Sequence, residues 1–496
     1  MAQMMTTRRS GILLHPTSLP GRFGIGSLGL QARKFVDWLS ASGQKVWQIL
    51  PLGPSDLSHS PYQCYSAFAG NSDLIDLDDL VELGLLKIED LVPPKAFPLE
   101  SIDFHSIRKF REPHLQKAFL RFREIGGFGW DNYRQFWSEN AWWLESWSLF
   151  YACRKNLKTK DWSYWEESLV LRKEESLNLY YRTYREDVEF QRFLQFVFFK
   201  QWFELKKYAN DLNIKIFGDL PLYVSYDSAD VWTNQDLFLL DKKKKPVKVG
   251  GVPPDYFSVT GQLWGNPLYN WDELKKQNYD WWIARLHFNL HMYDLVRIDH
   301  FRGLESYWAI PYGEKTAVKG EWLKAHGDAV LKILQSQIGH LPIIAEDLGT
   351  ITKEVYHLRK KYRLPGMKVL QFAFASTADN EHLPHNYELD FVAYTGTHDN
   401  DTTVNWLKMV KGEEKDLMRR YFAVPVVDNW KMIRAVMGSV AQMTILPAQD
   451  VLGLDAWART NTPGTIVGNW QWKLSSLDHL KEQSAKLKEL TDLYGR

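Results

Sequence analysis

The sequence predicts an α/β fold of the (β/α)8 type, a TIM barrel with inserted, mostly helical subdomains. Three observations lead there. Eight short apolar runs, ending in Gly, Pro, Asp or Asn, alternate with stretches of helical periodicity, the signature of βα units and a parallel sheet. Three runs stop on a carboxylate: Asp299 in Leu295-Val-Arg-Ile-Asp-His-Phe-Arg-Gly303, Glu346 in Leu341-Pro-Ile-Ile-Ala-Glu-Asp-Leu-Gly349, and Asp399 in Phe391-Val-Ala-Tyr-Thr-Gly-Thr-His-Asp-Asn400. No Gly-x-Gly-x-x-Gly follows the first run, which weakens a dinucleotide-binding, doubly wound alternative. A buried charge is costly unless it is paired. Three strand-end acids therefore read as one sheet delivering carboxylates to a shared rim, the catalytic end of such a barrel.

The runs come in order. The first two are Gly11-Ile-Leu-Leu-His-Pro-Thr-Ser and Lys45-Val-Trp-Gln-Ile-Leu-Pro-Leu-Gly; the third is Ile214-Lys-Ile-Phe-Gly-Asp-Leu-Pro-Leu-Tyr-Val. The Asp299 and Glu346 runs follow, then Met367-Lys-Val-Leu-Gln-Phe-Ala-Phe, the Asp399 run, and Met443-Thr-Ile-Leu-Pro-Ala-Gln-Asp-Val-Leu. The spacing is uneven. After the second run, about 54–187 reads as a helical insertion, with a barrel helix near 188–211 marked by Phe190-Gln-Arg-Phe-Leu-Gln-Phe-Val-Phe-Phe-Lys. After the third, about 225–290 reads as a second insertion. Its Lys242–Lys245 run is a solvated turn, too short for a polyanion site. The tail, 473–496, reads as a charged amphipathic helix. The whole, 1–496, is expected to be one catalytic barrel.

Composition narrows the class. The 61 Lys and Arg balance 60 Asp and Glu, so a nucleic-acid partner is not favoured. No stretch approaches the length of a membrane helix, and the first residues lack the apolar core of a secretory signal. Only Cys64 and Cys153 occur, which fits a reducing compartment and a cytoplasmic protein. His15 and His59 are not at metal-ligand spacing, so no metal or cofactor is expected. Cys64 has no His/Asn constellation and reads as a small buried thiol. The chain holds 22 Trp, 23 Tyr and 26 Phe. Most belong in a core; some would form flat platforms that suit the C–H faces of sugars.

Each acid alone could be a helix N-cap. Their neighbours separate them. Arg297 precedes Asp299 by two, so both side chains lie on one side of a strand, and a guanidinium favours the ionised acid that a nucleophile needs. Glu346 follows Ile343-Ile-Ala with no lysine or arginine within six positions. An apolar surround favours the protonated acid that a proton donor needs. His398 and Asp399 add donors and a further charge. An ionised acid beside a protonated one is the pattern of glycoside chemistry.

The chain resembles the 4-α-glucanotransferases of glycoside hydrolase family 77 over nearly its whole length. The resemblance rests on Leu14-His-Pro-Thr-Ser-Leu-Pro-Gly21, Trp47-Gln-Ile-Leu-Pro-Leu-Gly-Pro54, Ser60-Pro-Tyr-Gln63 and Gly250-Gly-Val-Pro-Pro-Asp-Tyr-Phe-Ser258. It continues in Gly261-Gln-Leu-Trp-Gly-Asn-Pro267, Arg297-Ile-Asp-His-Phe-Arg-Gly303, Ala345-Glu-Asp-Leu-Gly349 and Gly396-Thr-His-Asp-Asn-Asp401. It implies a retaining transfer between maltodextrins, cyclisation included. Asp299 would be the nucleophile, Glu346 the general acid/base and Asp399 the transition-state stabiliser. It implies sugar contacts from Arg297, His398, Tyr62 and Ser60, from Tyr256, Phe257, Gln262 and Trp264 on the acceptor side, and from Phe372 and Asn469. Ala375-Ser376 and Val259 replace residues that are acidic in some relatives. The protein would act as a monomer or homodimer. An α-amylase-type hydrolase shares such a site, and a non-catalytic glucan-binding barrel is the more distant alternative.

Overall fold

A computed structural model of the chain describes residues 8–56, 58–254, 258–465 and 467–496. Its twelve strands are β1 (Arg9–Leu13), β2 (Val46–Gln48), β3 (Lys215–Pro221), β4 (Lys248–Val252), β5 (Gln262–Pro267), β6 (Leu295–Asp299), β7 (Ser306–Pro311), β8 (Glu321–Lys324), β9 (Ile343–Ala345), β10 (Gly366–Val369), β11 (Phe391–Tyr394) and β12 (Met443–Pro447). Eight of them form one parallel sheet in the order β10-β11-β12-β1-β2-β3-β6-β9, and these are the eight apolar runs of the sequence. The two ends of that order meet without a ladder. There Ala345 N–H donates to Pro365 O at 2.8 Å, and Met367 N–H donates to Asp347 Oδ1 at 2.7 Å.

Alternation along the strands sorts side chains to the two faces of the ring. Leu13, Val46, Phe217, Ile344, Met367, Val369, Val392, Tyr394 and Ile445 pack together inside. Ile12, Trp47, Ile216, Val296, Ile298, Ile343 and Ala345 face out, into the layer shared with the helices. On β6 the inward set is therefore Leu295, Arg297 and Asp299. On β3 it includes Phe217 and Asp219, and Asp219 lies opposite Arg297 in the ladder.

Helices Leu30–Ala41, Arg185–Asp211, Asp280–Met292, Gly327–Ile338, Lys353–Lys361 and Asn429–Gly438 fall between successive barrel strands. Asp428 caps the last by accepting from Lys431 N–H at 2.8 Å. One unit departs from the alternation. Between β10 and β11 the described residues hold only the short turns Leu370–Phe372 and Pro384–Asn386. The interval after β2 is mostly helical, with Phe104–Glu124 and Asp131–Asn156 packed on the barrel helix Arg185–Asp211. Its aromatic residues form a core: Phe119–Phe190 and Phe122–Phe193 ring centres lie 5.4 and 5.0 Å apart. The lysine run is a turn, closed by Lys243 and Lys245 N–H on Asp241 Oδ1. The tail holds two helices, Asp478–Lys481 and Ser484–Tyr494, rather than one.

The sequence reading did not anticipate a second sheet. Strands β5-β4-β7-β8 form a four-stranded antiparallel sheet beside the barrel. Its members come from two separate connections, one after β3 and one after β6, so no local pattern announces the pairing.

Candidate active site

Register and alternation place Arg297 between two carboxylates at the carboxyl ends of β3 and β6. Arg297 is 4% exposed. Its Nη2 donates to Asp299 Oδ1 at 2.7 Å, and its Nε donates to Asp219 Oδ2 at 2.9 Å. Tyr62 comes from the connection after β2, and its hydroxyl donates to the same Asp219 oxygen at 2.8 Å. One guanidinium thus serves two carboxylates. Asp219 and Asp299 hold the Arg297 cation well above its ordinary range against the cost of burial. Burial pushes the Asp219 carboxyl up, opposed chiefly by Arg297.

Glu346 follows β9 directly and faces the same space. Its Oε2 accepts from His300 N–H at 2.8 Å, and its Oε1 accepts from Leu348 N–H at 2.9 Å. Both bonds favour the carboxylate. Burial, with the Asp299 charge in support, outweighs them and pushes the group up to about 8. Burial and the Asp299 charge thus favour the protonated acid on Glu346, beside an aspartate bonded to arginine.

Asp399 sits in the turn after β11. Asp450, buried on the helix after β12, anchors that turn by accepting from Thr395 Oγ1 at 2.5 Å and from Thr403 N–H at 2.7 Å. Asp399 Oδ1 accepts from Asn461 Nδ2 at 2.6 Å, and its carbonyl accepts from Arg459 Nη2 at 2.9 Å. Its Oδ2 lies 3.4 Å from His398 Nε2. Burial lowers the His398 pKa although Asp399 opposes it, which favours the neutral imidazole. The His398 ring stacks on Tyr62 with centres 5.2 Å apart and planes 10° apart.

The expected sugar-contact residues divide. Arg297, His398 and Tyr62 join the three acids. Trp264 stands edge-on to His300 at 4.8 Å, and its indole donates to Gln262 Oε1 at 3.1 Å. Phe372 packs against the interior cluster from the turn after β10. Ser60 Oγ accepts from Tyr62 N–H at 3.2 Å and so shapes the turn beneath that ring. Asn469 spends its amide on its own loop, through Thr462 N–H, Thr465 O and Thr465 Oγ1. The neighbouring Trp470 reaches the site, 5.9 Å from the Tyr62 ring and 6.0 Å from His398. Tyr256 and Phe257 lie outside the described residues.

Sequence reasoning missed Asp219, Asn461 and Arg459 as members of this constellation. Asp219 carried a usable signal, an acid inside the apolar run Ile214-Lys-Ile-Phe-Gly-Asp. Asn461 and Arg459 lie in an irregular loop with no pattern to mark them.

An arginine-paired aspartate and a largely protonated glutamate, side by side at the carboxyl-terminal rim of a parallel barrel, are the equipment of an enzyme that breaks and remakes glycosidic bonds. A family model for 4-alpha-glucanotransferases matches residues 14–479. The 4-alpha-glucanotransferase of Clostridium butyricum is 45% identical over 489 residues, covering 97% of this chain and 100% of the relative. That of Thermus thermophilus is 44% identical over 507 residues, covering 99% of this chain and 100% of the relative. The amylomaltase of Streptococcus agalactiae, solved in complex with acarbose, superposes with a TM-score of 0.94 at 40% identity, covering 99% of each chain. The chain belongs to the 4-alpha-glucanotransferase family, glycoside hydrolase family 77. Its activity is that of a glycosyltransferase acting on α-1,4-glucans.

Proposed function

We propose that Asp299 attacks the anomeric carbon of a maltodextrin, Glu346 protonates the departing sugar oxygen, and Asp399 steadies the oxocarbenium-like transition state. The C–O bond to the leaving glucan breaks as the bond to Asp299 Oδ forms. Glu346, now a carboxylate, then takes the proton from the 4-hydroxyl of an incoming glucan, which displaces Asp299 with retention. The carrying observation is the contrast between neighbours: Arg297 donates to Asp299 at 2.7 Å, whereas Glu346 is pushed up to about 8. Transfer rather than hydrolysis requires a well-held acceptor and little productive water. Trp264 and Gln262 on β5, with Tyr256 and Phe257, would supply the acceptor surface, and Tyr62, His398, Arg297, Ser60, Phe372 and Asn469 the remaining sugar contacts. An acceptor at the far end of the same chain would give cyclic products.

We place the insertions at about 54–187 and 225–290 of a single catalytic barrel acting as a monomer or homodimer. Cys64 and Cys153 are unpaired, which supports a reducing, cytoplasmic setting. Among the described residues no helix is long and apolar enough to cross a membrane. Incubation with maltotriose tests the transfer reading. A ladder of longer glucans with glucose and little gain in reducing ends supports it; steady reducing-end growth without a ladder makes the protein an amylase-type hydrolase.

A further inference from the structure

The amide clamp on Glu346 needs two loops to stay together. His300 N–H comes from the loop after β6, and Leu348 N–H from the loop after β9. Neither loop is a helix or strand at that point, and His300 is itself left-handed at φ 55°. One side chain spans both. Arg302, in the short turn Phe301–Leu304 that follows His300, donates from Nη1 to Thr350 O, two residues beyond Leu348. Its guanidinium lies 3.8 Å over the ring of Trp322, on strand β8 of the antiparallel sheet. Arg302 is only 7% exposed, and Trp322 in turn packs edge-on against Trp308 of β7 with centres 5.3 Å apart. A planar cation laid on an indole and aimed at a carbonyl is a fixed strut, which a lysine could not reproduce.

We propose that Arg302 is a positioning residue for Glu346: backed by Trp322, it ties the loop after β9 to the loop after β6 and holds both amides on the carboxyl oxygens. This rests on the reading of Glu346 as the acid/base. The charged groups facing Glu346 are Asp299 and Arg297 from β6; the His300 imidazole is pushed down to about 3 by burial and stays neutral. On the same loop Asp347 is turned away toward Arg359, 3.2 Å distant. Around Arg302 the charges are Glu305 and its partner Lys324. Loosening the strut removes two interactions that favour the Glu346 carboxylate, so its proton should be held to higher pH.

The test is the pH profile of maltotriose disproportionation in Trp322→Leu, Trp322→Phe, Arg302→Lys and Arg302→Met. Trp322→Leu changes no charge and lies on a partly exposed strand, so it stands even where the arginine variants fail to fold. The expected result is a lower kcat with unchanged KM and an alkaline limb moved to higher pH in Trp322→Leu. Trp322→Phe should restore both, and Arg302→Met should lose about 10²-fold in kcat, as displaced catalytic groups do. An alkaline limb that stays in place in Trp322→Leu overturns the proposal. Glu346→Gln separates the two levels: if it keeps full turnover the acid/base reading itself falls, whereas an inactive Glu346→Gln with an unmoved limb in Trp322→Leu removes only the strut.

Discussion

Arg297 is shared, and that determines what its neighbours can do. Asp219 accepts from Nε and the half-buried Tyr62 bonds to both Asp219 and Arg297, which leaves Asp299 held by a single 2.7 Å bond and 32% exposed at its side chain. The nucleophile we propose must move onto carbon, and one bond to arginine leaves Asp299 free to do so. Asp299→Asn should therefore abolish transfer while leaving the fold intact, checked by turnover beside a thermal melt. Glu346 carries a stability signature as well. Its folded pKa is raised, so the folded chain keeps a proton that the unfolded chain releases; wild-type stability is full below the ordinary glutamate value and falls as pH rises through about 8. Glu346→Gln has no such loss. Its melting temperature should match wild type near pH 4 and exceed it at pH 8 to 9, with activity absent throughout. A mutant that melts lower than wild type at pH 9 would contradict the burial of a neutral acid there.

Among the elements, the strand ends behave differently from the loops. Asp299 and Glu346 were legible as candidate acids because each closes a strand: period 2 puts Arg297 and Asp299 on one face, and the apolar Ile343-Ile-Ala leads straight to Glu346. Asp219 followed the same rule and was overlooked only because Leu-Pro-Leu continues the apolar run beyond it. The residues that serve Asp399, by contrast, come from the irregular segment after β12, where side-chain direction follows no period. The antiparallel sheet lay beyond reach for another reason, since β4 and β7 belong to different connections and nothing near either names its partner. That sheet carries Gln262 and Trp264. Trp264→Ala should raise the KM for the acceptor and increase the share of turnovers ending in water, read as reducing-end release per transfer product. An unchanged ratio would remove Trp264 from the acceptor surface.

At the scale of the whole molecule, the eight runs sufficed for the barrel because buried parallel strands are nearly continuous apolar segments. They could not show how the ring is finished. The first and last strands of the order lack a ladder, and Asp347 bridges them by accepting from Met367 N–H while paired with the fully buried Arg359. Asp347→Ala leaves that guanidinium with Asp390 as its carboxylate partner, beside the Leu364 carbonyl, and breaking a buried pair costs about 3–5 kcal/mol. The expected outcome is a lower urea midpoint, with Glu346 activity reduced because the same loop carries it. The central claim, a covalent step at Asp299 with Glu346 as its proton partner, has a direct measurement. Glu346→Gln incubated with α-maltotriosyl fluoride, whose leaving group needs no acid, should accumulate a glycosyl ester because no base remains to activate the acceptor. Peptide mass mapping should place that added mass on Asp299; an adduct on Asp399, or none on the enzyme while fluoride is released, would contradict the account.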